Sequence, residues 1–256
     1  MSHIEIRGLS KSFGAPGAGG VLALRDINCT IENGSFVSVV GPSGCGKSTL
    51  LRIVAGLLDY SQGSITMDGQ AIRGTRKDVG VVFQSAILLP WRTILENVML
   101  PAEVLGLDMK AARERAMQLL HMVRLDGFEH KLPRQLSGGM QQRASIARAL
   151  LHDPKILLMD EPFGALDAMT REQMNLELQR IWQESGKTVI LITHSIPEAI
   201  FLGDVVFVMT ARPGSLERVI RVDVPRPRTM EAMGTPAFTK VAHEIRDIFD
   251  HTGSFD

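Results

Sequence analysis

Residues 41–48 read Gly41-Pro42-Ser43-Gly44-Cys45-Gly46-Lys47-Ser48, followed by Thr49. This is the pattern G-x-x-x-x-G-K-[ST]. It lies directly after an apolar run, Phe36-Val37-Ser38-Val39-Val40, and ahead of an expected helix from Thr49 to Ala55. Its chemistry is the cradling of phosphates. Glycines let the backbone curl until its N–H groups point at phosphate oxygens, and the following helix adds the positive end of its dipole. Lys47 is expected to reach the β- and γ-phosphates, and the Ser48 hydroxyl to hold Mg²⁺. The alternative is a glycine-rich turn that matches by accident.

Two further groups could do chemistry. Ile156-Leu157-Leu158-Met159 runs straight into Asp160-Glu161. Ligands bind at the C-terminal ends of parallel strands, so these carboxylates are expected near the phosphates. Asp160 would help hold Mg²⁺ and Glu161 would orient or deprotonate an attacking water. A helix-start acid pair before Pro162 is the alternative. Ser137-Gly138-Gly139 at the start of another expected helix makes a second anion-binding end. One nucleotide seldom needs two such ends about 90 positions apart. A head-to-tail pair of chains resolves this, with one copy's serine end covering the other copy's γ-phosphate. An ordinary Ser N-cap remains the other reading.

These residues need a scaffold. Residues 3–8 and 21–40 carry several short strands, and Gly14 to Gly20 form a loop between them. Ser64-Ile65-Thr66-Met67-Asp68 before Gly69 is a hairpin signal, and Val79 to Phe83 a buried strand. Apolar spacing turns helical from about 93 to 125, with Ile94, Val98, Leu100, Val104, Leu105, Ala116, Leu119, Leu120 and Val123. A helix is expected from Ser137 to about His152, with Met140, Ala144, Ala147, Leu150 and Leu151 facing inward. After Pro154, strands at 156–159, 189–192 and 205–209 alternate with a helix at 168–185. Continuous apolar strands separated by helices predict a mostly parallel sheet covered on both faces. The fold class is therefore α/β, with a helical subdomain inserted at about 85–153 in a domain of residues 1–225. A short tail, 226–256, carries an amphipathic helix from Ala237 to Phe249.

The chain has 256 residues, with 28 Lys plus Arg against 28 Asp plus Glu. A zero formal charge argues against a nucleic-acid partner held by bulk charge. Cys29 and Cys45 make no disulfide framework, and a reducing cytosol fits. Cys45 is either a small residue that fits the loop or, near a helix start, a thiol of lowered pKa. The first residues lack a signal peptide's apolar stretch, and no apolar run reaches spanning length.

In order and spacing, these motifs resemble the ATP-binding subunit of ABC transporters over essentially residues 1–220. Leu136 to Met140 is similar to that family's signature, Gln84 stands in the place of the Q-loop glutamine, and Ala165-Leu166-Asp167 is similar to the D-loop. His194, after Leu191-Ile192-Thr193, is similar to the switch histidine; alone, a His after a strand would read as structural. The resemblance implies a P-loop NTPase core with an N-terminal antiparallel β subdomain. It implies that Phe13 stacks on adenine, that Gln84 touches Mg²⁺ or the lytic water, and that His194 contacts the γ-phosphate and holds the water and Glu161. It implies that Asp167 crosses the interface of a homodimer that sandwiches ATP.

Met140 stands where the signature usually has Gln, and Ser195 where Asp usually follows the His. The stretch Ala86 to Thr93, with Pro90-Trp91, implies contact with a transmembrane permease subunit near Gln84–Thr93. Trp91 capping the helical insertion's own core is the other reading. Together with Pro162 to Ala168, this stretch is most similar to the nitrate/sulfonate/taurine branch, which also includes thiamine-precursor importers. The implied protein is an ATPase on the cytoplasmic face of a bacterial inner membrane, working with a separate permease and a periplasmic solute-binding protein. Rival classes are a soluble ABC-type ATPase of DNA repair or translation, and a nucleotide kinase. The first lacks its coiled coil, zinc hook, second cassette or basic face; the second leaves Ser137-Gly138-Gly139 unexplained.

Overall fold

The structure is a computed structural model that describes residues 3–14, 20–164 and 166–251. Most of the expected Gly14–Gly20 loop and Ala165 of the D-loop-like stretch lie outside the described residues. In chain order the elements are β1 (Ile4–Phe13), β2 (Val21–Ile31), β3 (Phe36–Val40), α1 (Lys47–Val54), β4 (Gln62–Met67), β5 (Gln70–Ala71) and β6 (Val79–Val82). Next come α2 (Ile94–Leu105), α3 (Met109–Met122), α4 (Gly138–Leu150), β7 (Ile156–Asp160) and α5 (Ala168–Ser185). The chain continues with β8 (Thr188–Ile192), α6 (Ile196–Leu202), β9 (Val205–Met209), β10 (Leu216–Arg221) and α7 (Pro236–His251).

The strands form two sheets. One is antiparallel, ordered β2-β1-β4-β5; the other is six-stranded, ordered β10-β9-β3-β8-β7-β6. In the larger sheet β9, β3, β8, β7 and β6 run parallel, and β10 is antiparallel at the edge. The expected mostly parallel sheet and N-terminal antiparallel subdomain are therefore both present. Alternation explains the continuous apolar runs. On β7, Ile156 and Leu158 enter a core shared with α1 and the antiparallel sheet, while Leu157 and Met159 enter a core shared with the helices of the opposite face. Every residue of β3, β7 and β8 is buried.

The helical spacing from 93 to 125 divides into two helices. Gly106 closes α2 in the left-handed region (φ 67°), and the Asp108 side chain caps α3 by accepting from the Ala111 N–H. Thr93 and Glu96 form a capping box at the start of α2. Val104, expected on the apolar face, is 75 % exposed instead. In α4, Ala144, Ala147, Leu150 and the following Leu151 are buried as the spacing predicts. The amphipathic tail forms α7, which buries Phe238, Val241, Ala242, Ile245 and Phe249 in the larger core. Arg226 and Arg228 tie the segment before it to α5 and the end of α6. The buried Arg228 guanidinium donates to the carbonyls of Ile200, Phe201 and Gly203 at the end of α6. No helix among the described residues is long and apolar enough to cross a membrane.

Candidate active site

The parallel strands deliver the expected residues to one edge. β3 runs into the loop 41–46, and α1 starts at Lys47 with no side-chain cap. Gly44 and Gly46 take positive φ (72° and 100°), and a Cβ on Gly46 would stand 2.7 Å from the Leu24 side chain. Only glycine makes this turn without strain. The uncapped first N–H groups of α1 therefore face outward, where an anion can take them. The Lys47 ammonium donates to the carbonyls of Gly41 (2.8 Å) and Pro42 (2.9 Å), which holds it against the loop. Cys45 is buried and burial pushes its thiol pKa up, so it is a packing residue rather than an activated thiol.

A cavity of about 440 Å³ opens over this loop. Ser43, Gly44, Gly46, Lys47, Ser48 and Thr49 line it, together with Phe13, Val21 and Ala23 from the antiparallel sheet and with Gln84 and Glu161, which follow strands of the larger one. Phe13 is 43 % exposed, and the Lys11 ammonium sits 5.0 Å from its ring centroid. The Ser48 hydroxyl donates to Asp160 Oδ1 at 2.9 Å, joining the loop to the end of β7. Burial raises the Asp160 pKa, opposed by that hydrogen bond and raised further by the Glu161 charge. A buried carboxylate beside a hydroxyl suits a divalent cation, which would offset the burial of negative charge.

Glu161 is the meeting point of three elements. Gln84 Nε2 donates to Glu161 Oε2 at 3.1 Å, and His194 Nδ1 lies 3.5 Å from the same oxygen. Its N–H donates to the Ile192 carbonyl at 2.9 Å, across to β8. Its φ of 46° is left-handed. A non-glycine residue held there costs about 1–3 kcal/mol, and such strain clusters at functional sites. His194 also lines a neighbouring cavity of about 720 Å³ with Gly41, Pro42 and Ser43. Ser195 caps α6, and Pro197 occupies its first turn, where the missing N–H is harmless.

Not every expected residue joins this cluster. Ser137 and Gly138 are exposed, and the Ser137–Gly139 helix start does not line the nucleotide-sized cavity. Ser137 does cap α4, accepting from the Met140 N–H at 3.3 Å. Asp167 caps α5, accepting from the N–H of Thr170 at 3.0 Å and from its hydroxyl at 2.6 Å. Trp91 is 73 % exposed, so it does not cap the helical core. The packing inward is done instead by Asn97, fully buried, whose amide donates to the carbonyls of Leu89, Arg92 and Thr93. Sequence reading missed Arg212, which lines the cavity beside the loop. It lies after β9 in a stretch with no motif to mark it.

Comparison with known proteins gives the family. The ABC transporter family profile matches residues 24–164. An uncharacterised ABC transporter ATP-binding protein from Methanocaldococcus jannaschii is 48 % identical over 88 % of this chain and 84 % of its own length. An aliphatic sulfonates import ATP-binding protein from Bacillus licheniformis is 44 % identical over 98 % of this chain and 96 % of its own length. Its counterpart from Bacillus cereus is 43 % identical over 98 % and 97 %. Among solved structures, a dimeric ATP-binding cassette in a post-hydrolysis state with ADP and Pi superposes with a TM-score of 0.78. It is 35 % identical and covers 85 % of this chain and 98 % of the other. This chain belongs to the ABC transporter family, as one of its ATP-hydrolysing subunits.

Proposed function

We propose that the chain energises uptake of a small organic anion of the sulfonate class, through Mg²⁺-dependent ATP hydrolysis between two copies of itself. The observation that carries the catalytic reading is the convergence of Gln84 and His194 on one Glu161 carboxylate oxygen, beside the phosphate-type loop. Residues 41–49 bind the triphosphate, Lys47 reaching its terminal phosphates and Phe13 stacking on the base, worth about 0.5–1.5 kcal/mol beyond area burial. Ser48, Asp160 and the Gln84 amide oxygen are the residues that would hold Mg²⁺, which would neutralise charge on the β- and γ-phosphates. Glu161 accepts a hydrogen bond from the attacking water and draws off its proton, and His194 holds carboxylate and γ-phosphate in one geometry. The rest of the rate comes from positioning and charge stabilisation. Gln84 links the site to the segment 85–93, so a change at the phosphates is felt where the helical arm begins.

The outward-facing Ser137–Gly139 helix start fits a γ-phosphate lid supplied to a second copy, and solved ATP-binding cassettes of the same fold are dimeric. The helical arm, inserted at about 85–153, would present Trp91 and its neighbours to a transmembrane permease from the cytoplasmic side. A periplasmic solute-binding protein would deliver the cargo. The sulfonate class rests on relatives that match nearly the whole chain and are named for aliphatic sulfonate import. Uptake of labelled taurine, an alkanesulfonate, nitrate and a thiamine precursor in cells with and without this chain decides among cargoes. Loss of sulfonate uptake alone is the expected result; loss of only one of the others would reassign the cargo. For the catalytic reading, Glu161→Gln should remove ATP hydrolysis while ATP still binds.

A further inference from the structure

We infer that Arg212 is a nucleotide-binding residue, gripping the phosphate chain at its adenosine end. This rests on the ATP-site reading and adds a residue to it. Residues 210–215 cross the loop 41–46 as a strap. The Gly214 N–H donates to the Ala23 carbonyl at 3.0 Å, and its own carbonyl accepts from the Arg25 N–H at 2.9 Å. The strap presses on the phosphate loop so closely that a Cβ on Gly214 would stand 1.8 Å from the Cys45 carbonyl oxygen. It is pinned at its neck by Thr210 and Ser215, whose side chains hydrogen-bond at 2.9 Å. A rigid strap therefore fixes where Arg212 stands.

The Arg212 Nε donates to the Gly44 carbonyl at 2.7 Å, and the side chain lines the cavity over the loop. Its terminal amino groups make no hydrogen bond among the described residues. The guanidinium is exposed, whereas the Lys47 ammonium is buried against the loop carbonyls. The loop is thus flanked by two cations of different kinds, one spent in part on the backbone and one with open donors. A planar fork with open N–H groups matches phosphate oxygens better than a point charge does. The strap hydrogen-bonds to β2 at Ala23 and Arg25, and β2 pairs its Val21 with Phe13 of β1, whereas Gln84 and Glu161, which follow strands of the larger sheet, hydrogen-bond to each other. Arg212 therefore serves phosphates that ATP and ADP share.

The test is titration calorimetry of the full chain with ADP and with a non-hydrolysable ATP analogue. The variants are Arg212→Gln, which keeps a donor for the Gly44 carbonyl but no charge, and Arg212→Lys, which keeps the charge. The expectation is that Gln weakens both nucleotides alike, by about tenfold, and that Lys recovers most of the loss. The unfolding temperature of the nucleotide-free protein should stay within about 2 °C for both, as for a surface change. Unchanged affinity in Arg212→Gln overturns the inference. So does a loss confined to the ATP analogue, which would place the side chain at the γ end. A loss that Lys does not recover, with a lower unfolding temperature of the free protein, would make Arg212 a loop support instead. Failure of the unaltered chain to bind either nucleotide would instead remove the ATP-site reading itself.

Discussion

The strand edge that carries the site and the helical arm that stands beside it treat apolar surface in opposite ways. At the strand edge nearly everything apolar is covered. β3, β7 and β8 are buried throughout, and the candidate site's residues follow where these strands end, at Gly41, Asp160 and Thr193. On the arm, Ile87, Trp91, Val104, Leu107 and Met109 are exposed, although Asn97, Ala102, Ala116 and Leu120 form an interior beneath them. The core spends its apolar residues on holding side chains still to within a hydrogen bond. The arm keeps some of them outside, where a partner can cover them. Rigidity at one end and an open surface at the other are what a subunit needs if hydrolysis is to move something else.

The sharpest way to break this contrast is at the rigid end. Glu161→Gln should lower hydrolysis by about 10²–10⁴-fold, the usual share of a general base. ATP affinity, measured by calorimetry, should stay near normal. Retained turnover would take Glu161 out of that role. Ser137→Arg should also stop turnover while leaving ATP binding to a single copy unchanged, because Ser137 does not line its own chain's cavity. Weakened binding in the monomer would mean that the helix start serves its own nucleotide.

Stability comes next. Leu158→Ala, in a fully buried strand position, should cost about 2–5 kcal/mol in denaturant unfolding. Trp91→Ala should change stability by no more than about 0.5 kcal/mol and yet weaken assembly with the permease in co-purification. A large loss of stability at Trp91 would return it to the core.

The smallest effect concerns Glu198. It is buried on α6 just past His194, one carboxylate oxygen has no hydrogen-bond partner among the described residues, and burial raises its pKa. Thr193, Arg171 and His194 oppose that rise, and Glu161 adds to it. A raised carboxylate pKa means that the ionised form is penalised in the native state. The penalty is absent below the unfolded-state pKa and grows as pH rises through the folded one. Glu198→Gln should therefore match the unaltered protein at low pH and exceed it near neutrality by on the order of 1 kcal/mol. Equal stability across the range would show that its neighbours compensate the charge fully.

Much of this was legible in the residues. The loop 41–49, the Asp160-Glu161 pair and the apolar runs of β3, β7, β8 and β9 are local patterns, and local patterns survive folding. The break between α2 and α3 was harder, because apolar spacing continues through it and only Gly106 and Asp108 mark the turn. β10 went unread because a six-residue edge strand with four exposed residues carries little periodicity. The exposure of Trp91 could not be read from composition, since the same Pro-Trp pair suits a core or a docking face. Arg212 was hidden for a different reason. Its place beside Gly44 depends on β9 pairing with β3, a contact across 168 positions.

The central claim is that one chain holds half a working catalytic centre and a second chain completes it. Its most direct test follows ATP turnover per chain against protein concentration, with molecular mass read by light scattering in the same samples. Turnover should rise with the dimeric fraction and vanish where only monomer is present. Full turnover from a strictly monomeric sample would contradict it.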